Sequence, residues 1–144
     1  MEVTIGQHPE LIRKAQAIRY QVFTVEQEIP SELDLDGLDS TSDHALVEEQ
    51  GQPIATARLY TKDAKSSVMA RVAVVEAYRG HGIASTVVRA LLEHAKTLGT
   101  KSIEIHAHGY LRSYYEKFGF EFIQDVEMVG EHQLIEMCYQ VDYT

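Results

Sequence analysis

The sequence predicts an α/β fold in which one central mixed sheet is flanked by helices, in the order β-α-β-β-β-α-β-α-β-β. Short segments alternate apolar and polar residues, longer segments repeat apolar residues at helical spacing, and glycine or proline separates them. The chain has 144 residues, 44% of them apolar and 24% charged. This length and composition predict a globular protein with one core, organised as a single domain over residues 1–144.

Four strands and one helix are predicted in the first half of the chain. The strands, in chain order, are 3–5, 44–48, 54–60 and 68–75. A helix from about Pro9 to Val25 is expected between the first two strands, because apolar residues recur at helical spacing at Leu11, Ala15, Ile18 and Val22. The segment 30–42 is expected to be an acidic loop or a short helix, and the turn 50–53 predicts a hairpin.

Two helices and three strands are predicted in the second half. The first helix has an apolar stripe that ends before Gly99, formed by Ile83, Val87, Val88, Leu91, Leu92, Ala95 and Leu98. A shorter helix is expected from about Tyr110 to Phe118. The strands are 101–107, 120–129 and 133–141, the last two as a pair.

The net charge of −9 is unevenly distributed along the sequence. Nine acids and no Lys or Arg lie in 26–49, whereas the rest of the chain has 13 acids and 13 bases. A nucleic-acid binder would need a cationic surface, so this class is not expected. The acidic residues are Glu26, Glu28, Glu32, Asp34, Asp36, Asp39, Asp43, Glu48 and Glu49.

The single cysteine, Cys138, excludes an internal disulfide and a CxxC metal or redox motif. The sequence opens Met-Glu-Val-Thr without a basic start and an apolar run, so no secretory signal is expected. No apolar stretch approaches the ~20 residues that span a bilayer. These observations predict a cytoplasmic protein with no membrane partner.

The most informative motif is the glycine-containing turn 79–84, Arg-Gly-His-Gly-Ile-Ala, between a predicted strand and the long helix. The start of a helix exposes unpaired N–H groups and a positive dipole end that attract phosphate, and glycine lets the backbone approach an anion. From the residues alone, a simple tight turn is an equal alternative. A dinucleotide site is weaker, because Ser85 occupies the third glycine position of that motif.

The segments 72–74 and 79–84, together with Tyr114-Tyr-Glu-Lys-Phe-Gly-Phe120, resemble two motifs of the GNAT superfamily of N-acetyltransferases. The two motifs stand in the right order, about 35 residues apart. Within the superfamily, the segments 19–27 and 131–137, the acidic segment and His44 resemble the ElaA-like branch. The resemblance covers nearly the whole chain and implies a GNAT-like acyl-CoA N-acyltransferase domain.

The resemblance implies acetyl-CoA as the acyl-donor cosubstrate. The expected cofactor-binding residues are Val72, Ala73, Val74, Arg79, Gly80, His81, Gly82, Ile83, Ala84 and Ser85. It also implies that the central strand diverges from its neighbour, and that the Val74 amide polarises the thioester carbonyl. Tyr115 aligns with the general acid that protonates the departing thiolate. Tyr114 or Tyr110 is expected to be a core aromatic residue instead.

The resemblance identifies the general base less clearly than the general acid. Glu26, His44, Glu104 and His106 are candidates by residue type, and Glu26 and His44 are the two retained as catalytic candidates. The spacing His106-x-His108 invites a metal interpretation, but no third ligand lies nearby in sequence. No metal is therefore expected.

The expected function is transfer of an acetyl group from acetyl-CoA to a primary amine of a small or peptidic, cationic acceptor, by direct attack in a ternary complex. An acyl-CoA-binding or regulatory module without efficient transfer is the alternative. A homodimer is also expected, because many superfamily members are dimers. The acidic segment is expected to attract the acceptor, so that neutralising its acids would raise the acceptor KM. The acids chosen for that change are Glu32, Asp34, Asp36 and Asp39.

Overall fold

The computed structural model describes residues 1–129 and 131–143, in which seven strands form one mixed sheet. The strands are β1 (Glu2–Gly6), β2 (Ser42–Glu49), β3 (Gln52–Thr61), β4 (Ser66–Val74), β5 (Ser102–His108), β6 (Glu121–Val129) and β7 (His132–Gln140). Their spatial order is β1-β2-β3-β4-β5-β7-β6, and β4 and β5 form the parallel pair in an otherwise antiparallel sheet. The predicted α/β fold with a mixed sheet is confirmed.

The helices flank this sheet and differ from the prediction in detail. They are α1 (Pro9–Arg19), α2 (Ser31–Asp34), α3 (Ile83–Thr97) and α4 (Arg112–Glu116). The segment predicted as one helix over 9–25 is α-helical only to Arg19 and continues as a π-helical segment, Tyr20–Glu26. The short α2 lies in the acidic segment, where a loop or a short helix was expected. No helix in the described ranges is long and apolar enough to cross a bilayer.

Two apolar clusters hold the helices on opposite faces of the sheet. The buried stripe of α3 includes Val87, Val88 and Leu91, which pack with Ile103 and Ile105 of β5 on one face. On the other face, α1 packs against β2, β3 and β4. Burial of these apolar side chains supplies the main driving force for this three-layer arrangement.

The strands β4 and β5 separate after a short paired stretch. In the described part of the chain they pair only at Ser66–Val68 with Ser102–Glu104. Nearer its end, β4 has a bulge, because Arg71 has a positive φ of 60° and the register with β3 shifts there. The divergence implied by the superfamily resemblance is therefore present, and it opens a gap at the end of the two strands.

A buried ionic network lies beside this bulge and connects α1 to the sheet. The arginines Arg19 of α1 and Arg58 of β3 both bond Asp39, at 2.8 and 3.1 Å from its Oδ1. Arg19 also bonds Asp34, and the guanidinium of Arg71 lies 3.0 Å from Asp34 Oδ1. Arg19 is only 1% exposed, so these carboxylates compensate a charge that has left water.

Most acids of the acidic segment 26–49 are paired with basic groups in the folded chain. Seven of its nine acids lie in ion-pair contact with a basic group that is distant in sequence: Glu26, Asp34, Asp36, Asp39, Asp43, Glu48 and Glu49. The linear charge count could not detect this pairing, because its partners lie outside the segment. Residues 101–144, by contrast, contain eight acids and three bases.

Candidate functional site

The start of α3 has the features of an anion-binding site. Its N-cap residue, Gly82, has a left-handed φ of 75°, no side chain caps the helix, and its first turn has no acidic residue. The first helical hydrogen bond runs from the Thr86 N–H to the Gly82 carbonyl, which leaves the preceding N–H groups without an intrahelical acceptor. Free N–H groups, a positive dipole end and no competing carboxylate cap suit a phosphate ligand.

A pocket opens at this helix start and extends to the end of β4. Its lining contains Val74, Tyr78, Arg79, Gly80, Gly82, Ile83, Ala84, Ser85 and Tyr114. Seven of the ten cofactor-binding residues expected from the sequence are therefore brought together here. The other three, Val72, Ala73 and the exposed His81, are outside the lining. Tyr78 and Tyr114 were not expected in it, because the motif pattern does not include them.

Arg79 is held by two contacts at the mouth of this pocket. Its Nε donates a hydrogen bond to the Val74 carbonyl at 2.9 Å, and its Nη2 donates to Glu26 Oε2 at 2.6 Å. Glu26 is the last residue of the π-helical segment, so this ion pair connects the end of the first helix to the phosphate-binding turn. Glu26, a candidate base, thus lies beside the pocket, paired with a cationic group.

The two adjacent tyrosines of α4 have different surroundings. Tyr115 is 6% exposed, with its ring 5.7 Å from that of Phe120, and burial, reinforced by neighbouring Tyr114, raises its pKa to about 12. Tyr114 lines the pocket, and its hydroxyl lies 3.0 Å from Ser85 Oγ. Of the two tyrosines expected to be core aromatics, Tyr110 is 75% exposed, whereas Tyr114 is half-buried and packs against the core cluster.

The other base candidates lie elsewhere in the fold. His44 is fully buried on β2 beside the ionic network, and its Nε2 donates a hydrogen bond to the Asp39 carbonyl at 2.9 Å. Burial lowers the His44 pKa, and its ring is held by Asp39 within the buried ionic network, so we assign it no role in proton transfer. Glu104 and His106 pair with each other on β5, 2.8 Å apart.

We expect Gly82→Ala to weaken acyl-CoA binding by about tenfold. A Cβ at Gly82 would meet no atom within 4 Å, so its steric cost comes from the positive φ, about 1–2 kcal/mol. The change would therefore disturb the backbone that presents the N–H groups. Titration calorimetry measures the affinity, and urea unfolding measures the stability.

Gly51→Ala is the matched control, because Gly51 has a φ of 82° and also meets nothing within 4 Å. It lies in the turn between β2 and β3, outside the pocket lining. Both variants should lose similar stability, and Gly51→Ala should bind acyl-CoA normally. Equal weakening of binding by the two variants would contradict the assignment of the phosphate site.

Comparison with known proteins agrees with this fold. Residues 11–120 match the model of the Acetyltransferase (GNAT) family. YjcF of Bacillus subtilis, described as an uncharacterized N-acetyltransferase, is 26% identical over 129 residues, which cover 90% of this chain and 91% of YjcF. An acyl-CoA N-acyltransferase structure from Pseudomonas aeruginosa is 27% identical, with a TM-score of 0.86 and coverage of 96% of this chain and 98% of that one. Escherichia coli ElaA has the same identity and TM-score, with 96% and 99% coverage.

Proposed function

The chain belongs to the GNAT acetyltransferase family and is an N-acetyltransferase of the GNAT type, and from this premise we propose its reaction. It transfers an acetyl group from acetyl-CoA to a primary amine of a small or peptidic cationic acceptor. The observation that supports this proposal is the uncapped start of α3, with its two left-handed glycines, beside the gap between β4 and β5.

In the proposed reaction, the N–H groups at the start of α3 bind the pyrophosphate of acyl-CoA. The deprotonated amine attacks the thioester carbonyl and forms a C–N bond, while the carbonyl electrons move to the oxygen. The Val74 amide stabilises this oxyanion. The intermediate then collapses: the carbonyl re-forms, the C–S bond breaks and Tyr115 protonates the CoA thiolate. The nitrogen loses its extra proton, which restores the Tyr115 hydroxyl, and no covalent enzyme intermediate forms.

The proposed base is Glu26, which accepts the ammonium proton of the acceptor. In the structure a carboxylate oxygen of Glu26 accepts a hydrogen bond from Arg79, so this oxygen is already engaged. The phosphates of acyl-CoA compete for the same guanidinium, because arginine binds phosphate with strong charge-assisted hydrogen bonds. Donor binding thereby releases Glu26 for the acceptor, which favours an order in which acyl-CoA binds first.

The proposal of a cationic acceptor rests on the net charge of the chain, −9, and not on the acidic segment, most of whose acids are paired. Residues 101–144, which include β5, β6 and β7, have a surplus of five acids, since eight acids face three bases in that range. A net negative charge concentrates cationic amines around the protein, and this effect weakens as salt screens it. We therefore expect the acceptor KM to rise with ionic strength.

The test is titration calorimetry with acetyl-CoA, followed by assay of CoA release against polyamines, aminoglycosides, amino acids and lysine peptides. One acetyl-CoA per chain and amine-dependent thiol release are expected. Failure to bind millimolar acetyl-CoA would refute the proposal. Binding without release across the amine panel would favour an acyl-CoA-binding module instead.

We expect Glu26→Gln to strengthen acyl-CoA binding while it lowers kcat. Removing the partner of Arg79 should tighten acyl-CoA binding by up to about fivefold, which corresponds to a surface ion pair of about 1 kcal/mol. Loss of the base should lower kcat on the order of 10²-fold. Calorimetry and steady-state kinetics measure the two effects.

Arg79→Gln is the companion variant, and it should weaken acyl-CoA binding by about tenfold. In that background, Glu26→Gln should no longer change the acyl-CoA affinity, since the pair is already broken. Glu10→Gln, which breaks the exposed pair with Arg13, should change neither affinity nor kcat. Tightening that persists in the double variant would contradict competition for Arg79.

A further inference from the structure

A second group of chemically active side chains lies outside the lining of the acyl-CoA pocket. Glu104 and His106 belong to β5, and Glu136 lies opposite His106 on β7. Two carboxylate oxygens and a ring nitrogen from these residues lie within 4.8 Å of one another. Among residues 1–129 and 131–143, no other three His, Cys, Asp or Glu side chains come together in this way.

The backbone of the sheet fixes this juxtaposition. Alternation along β5 directs Ile103 and Ile105 into the core, so that Glu104 and His106 lie on the opposite face. Antiparallel pairing then places Glu136 beside His106, as a directly opposed residue. The helix α1 packs on this face over β2, β3 and β4, whereas the three side chains lie on β5 and β7.

Contacts among the side chains give the group a defined shape. His106 Nε2 lies 2.8 Å from Glu104 Oε2, and Gln124 Nε2 donates a hydrogen bond to Glu136 Oε1 at 3.0 Å. The Glu104 side chain is 27% exposed and that of His106 is 42% exposed, so an ion could reach them from solvent. The site is negative overall, since two carboxylates face one imidazole.

The carboxylates of Glu104 and Glu136 lie close together on neighbouring strands. A cation bound between these carboxylates would relieve their mutual repulsion.

We propose that Glu104, His106 and Glu136 bind one divalent transition-metal ion of the zinc type. One imidazole nitrogen and two carboxylate oxygens match the mixed N/O ligand sets of zinc, and three protein ligands leave a coordination position for water. Calcium and magnesium prefer all-oxygen sites, which His106 disfavours. The sequence-based expectation of no metal considered the pair His106-x-His108, for which no third ligand lies nearby. The group in the structure instead combines His106 with Glu104 and with Glu136 of β7. This site is independent of the proposed acyl transfer.

Lys62 provides an internal check on the proposal. Its ammonium group lies 3.3 Å from Glu104 Oε1 and forms an ion pair with this carboxylate oxygen. A metal ion at Glu104 must compete with this charge. Lys62→Gln should therefore tighten zinc binding. If Glu104 were not a ligand, the zinc affinity would not change in this variant.

The experiment is calorimetric titration of metal-free protein with zinc chloride, without acyl-CoA or acceptor. One ion per chain is expected, with affinity lowered by about tenfold or more in His106→Gln and in Glu136→Gln. The absorption of the cobalt-substituted protein reports the coordination independently. His94→Gln is the matched control: His94 also lies 2.8 Å from a carboxylate, that of Asp43, but belongs to no three-ligand group in the described residues.

His94→Gln and Cys138→Ser should both retain zinc binding. The proposal is overturned if the wild-type protein shows no saturable one-site binding, or if His106→Gln and Glu136→Gln bind zinc as the wild type does. Abolition of binding by Cys138→Ser alone would also overturn it, because the site would then be a thiolate site. Circular dichroism verifies that each variant is folded.

Discussion

Asp39→Asn should lower the free energy of unfolding by about 3–5 kcal/mol. Asp39 Oδ1 accepts hydrogen bonds from both Arg19 and Arg58, and Gln16 donates to its other oxygen. The substitution keeps the shape of the side chain but removes its charge and replaces one accepting oxygen with a donating NH2 group. Two buried guanidinium groups therefore lose a counter-charge. Urea unfolding followed by circular dichroism is the suitable measurement, because the chain has no tryptophan.

Glu32→Gln is the control for this prediction, because it removes an exposed acid from the same segment. Its stability should stay within about 0.5 kcal/mol of the wild type. If Asp39→Asn changed the free energy of unfolding as little as Glu32→Gln, the network would contribute little to the stability of the fold. The contrast also shows why neutralising Asp34, Asp36 and Asp39 does not test the attraction of an acceptor: these acids hold α1 and the acidic segment on the sheet.

The same network makes stability depend on pH in a defined direction. Burial opposes ionisation of Asp39, but hydrogen bonds from Arg19 and Gln16 outweigh it and lower its pKa below 3.8. This carboxylate therefore stabilises the fold above pH 3.8 and loses its effect as the pH falls below that value. Burial also lowers the His44 pKa below 6.5, so acidification through that range favours the unfolded state, which binds the proton.

Stability should accordingly fall in two stages on acidification, first below about pH 6.5 and then below about pH 4. Asp39→Asn should reduce the second stage, and His44→Gln the first. Urea midpoints measured between pH 3 and 8 test both. An unchanged slope below pH 4 in the Asp39 variant would contradict its role as an ionised partner.

The sequence predicts those features of the fold that depend on local periodicity. The apolar stripe from Ile83 to Leu98 predicts a helix, and α3 spans Ile83–Thr97. The arginine network could not be predicted, because Arg58 and Arg71 alternate with apolar residues as ordinary exposed strand positions do. Their carboxylate partners are 19 to 37 residues away in sequence, and only the folded sheet brings them together.

In the candidate site, too, the local motif could be predicted from the sequence, whereas the residues that come from distant segments could not. The residues 79–85 form one local turn and helix start, so their motif also identifies a place in the structure. Tyr78 and Tyr114 reach the same pocket from other segments, and no local pattern marks them. In a helix as short as α4, adjacent residues face different directions, so the periodicity leaves open which tyrosine enters the core.

Tyr115→Phe should lower kcat on the order of 10²-fold and leave acyl-CoA affinity near that of the wild type. The ring packs against Phe120 and Tyr114, and phenylalanine preserves these apolar contacts. Only the hydroxyl that would protonate the thiolate is removed. Because the pKa of Tyr115 is raised to about 12, the phenol stays protonated, and its ionisation should cause no alkaline loss of kcat below about pH 10. Single-turnover kinetics with a productive amine measures the chemical step.

Tyr114→Phe is the matched variant, since it removes a hydroxyl one residue away that contacts Ser85 Oγ in the pocket. It should weaken acyl-CoA binding a few-fold and leave kcat nearly unchanged, because a single neutral hydrogen bond contributes about 1 kcal/mol. The reverse pattern, with the kcat loss confined to Tyr114→Phe, would transfer the acid role to the tyrosine that lines the pocket. Loss of kcat in both variants would instead indicate that the two hydroxyls act together, with Tyr114 positioning the donor while Tyr115 supplies the proton.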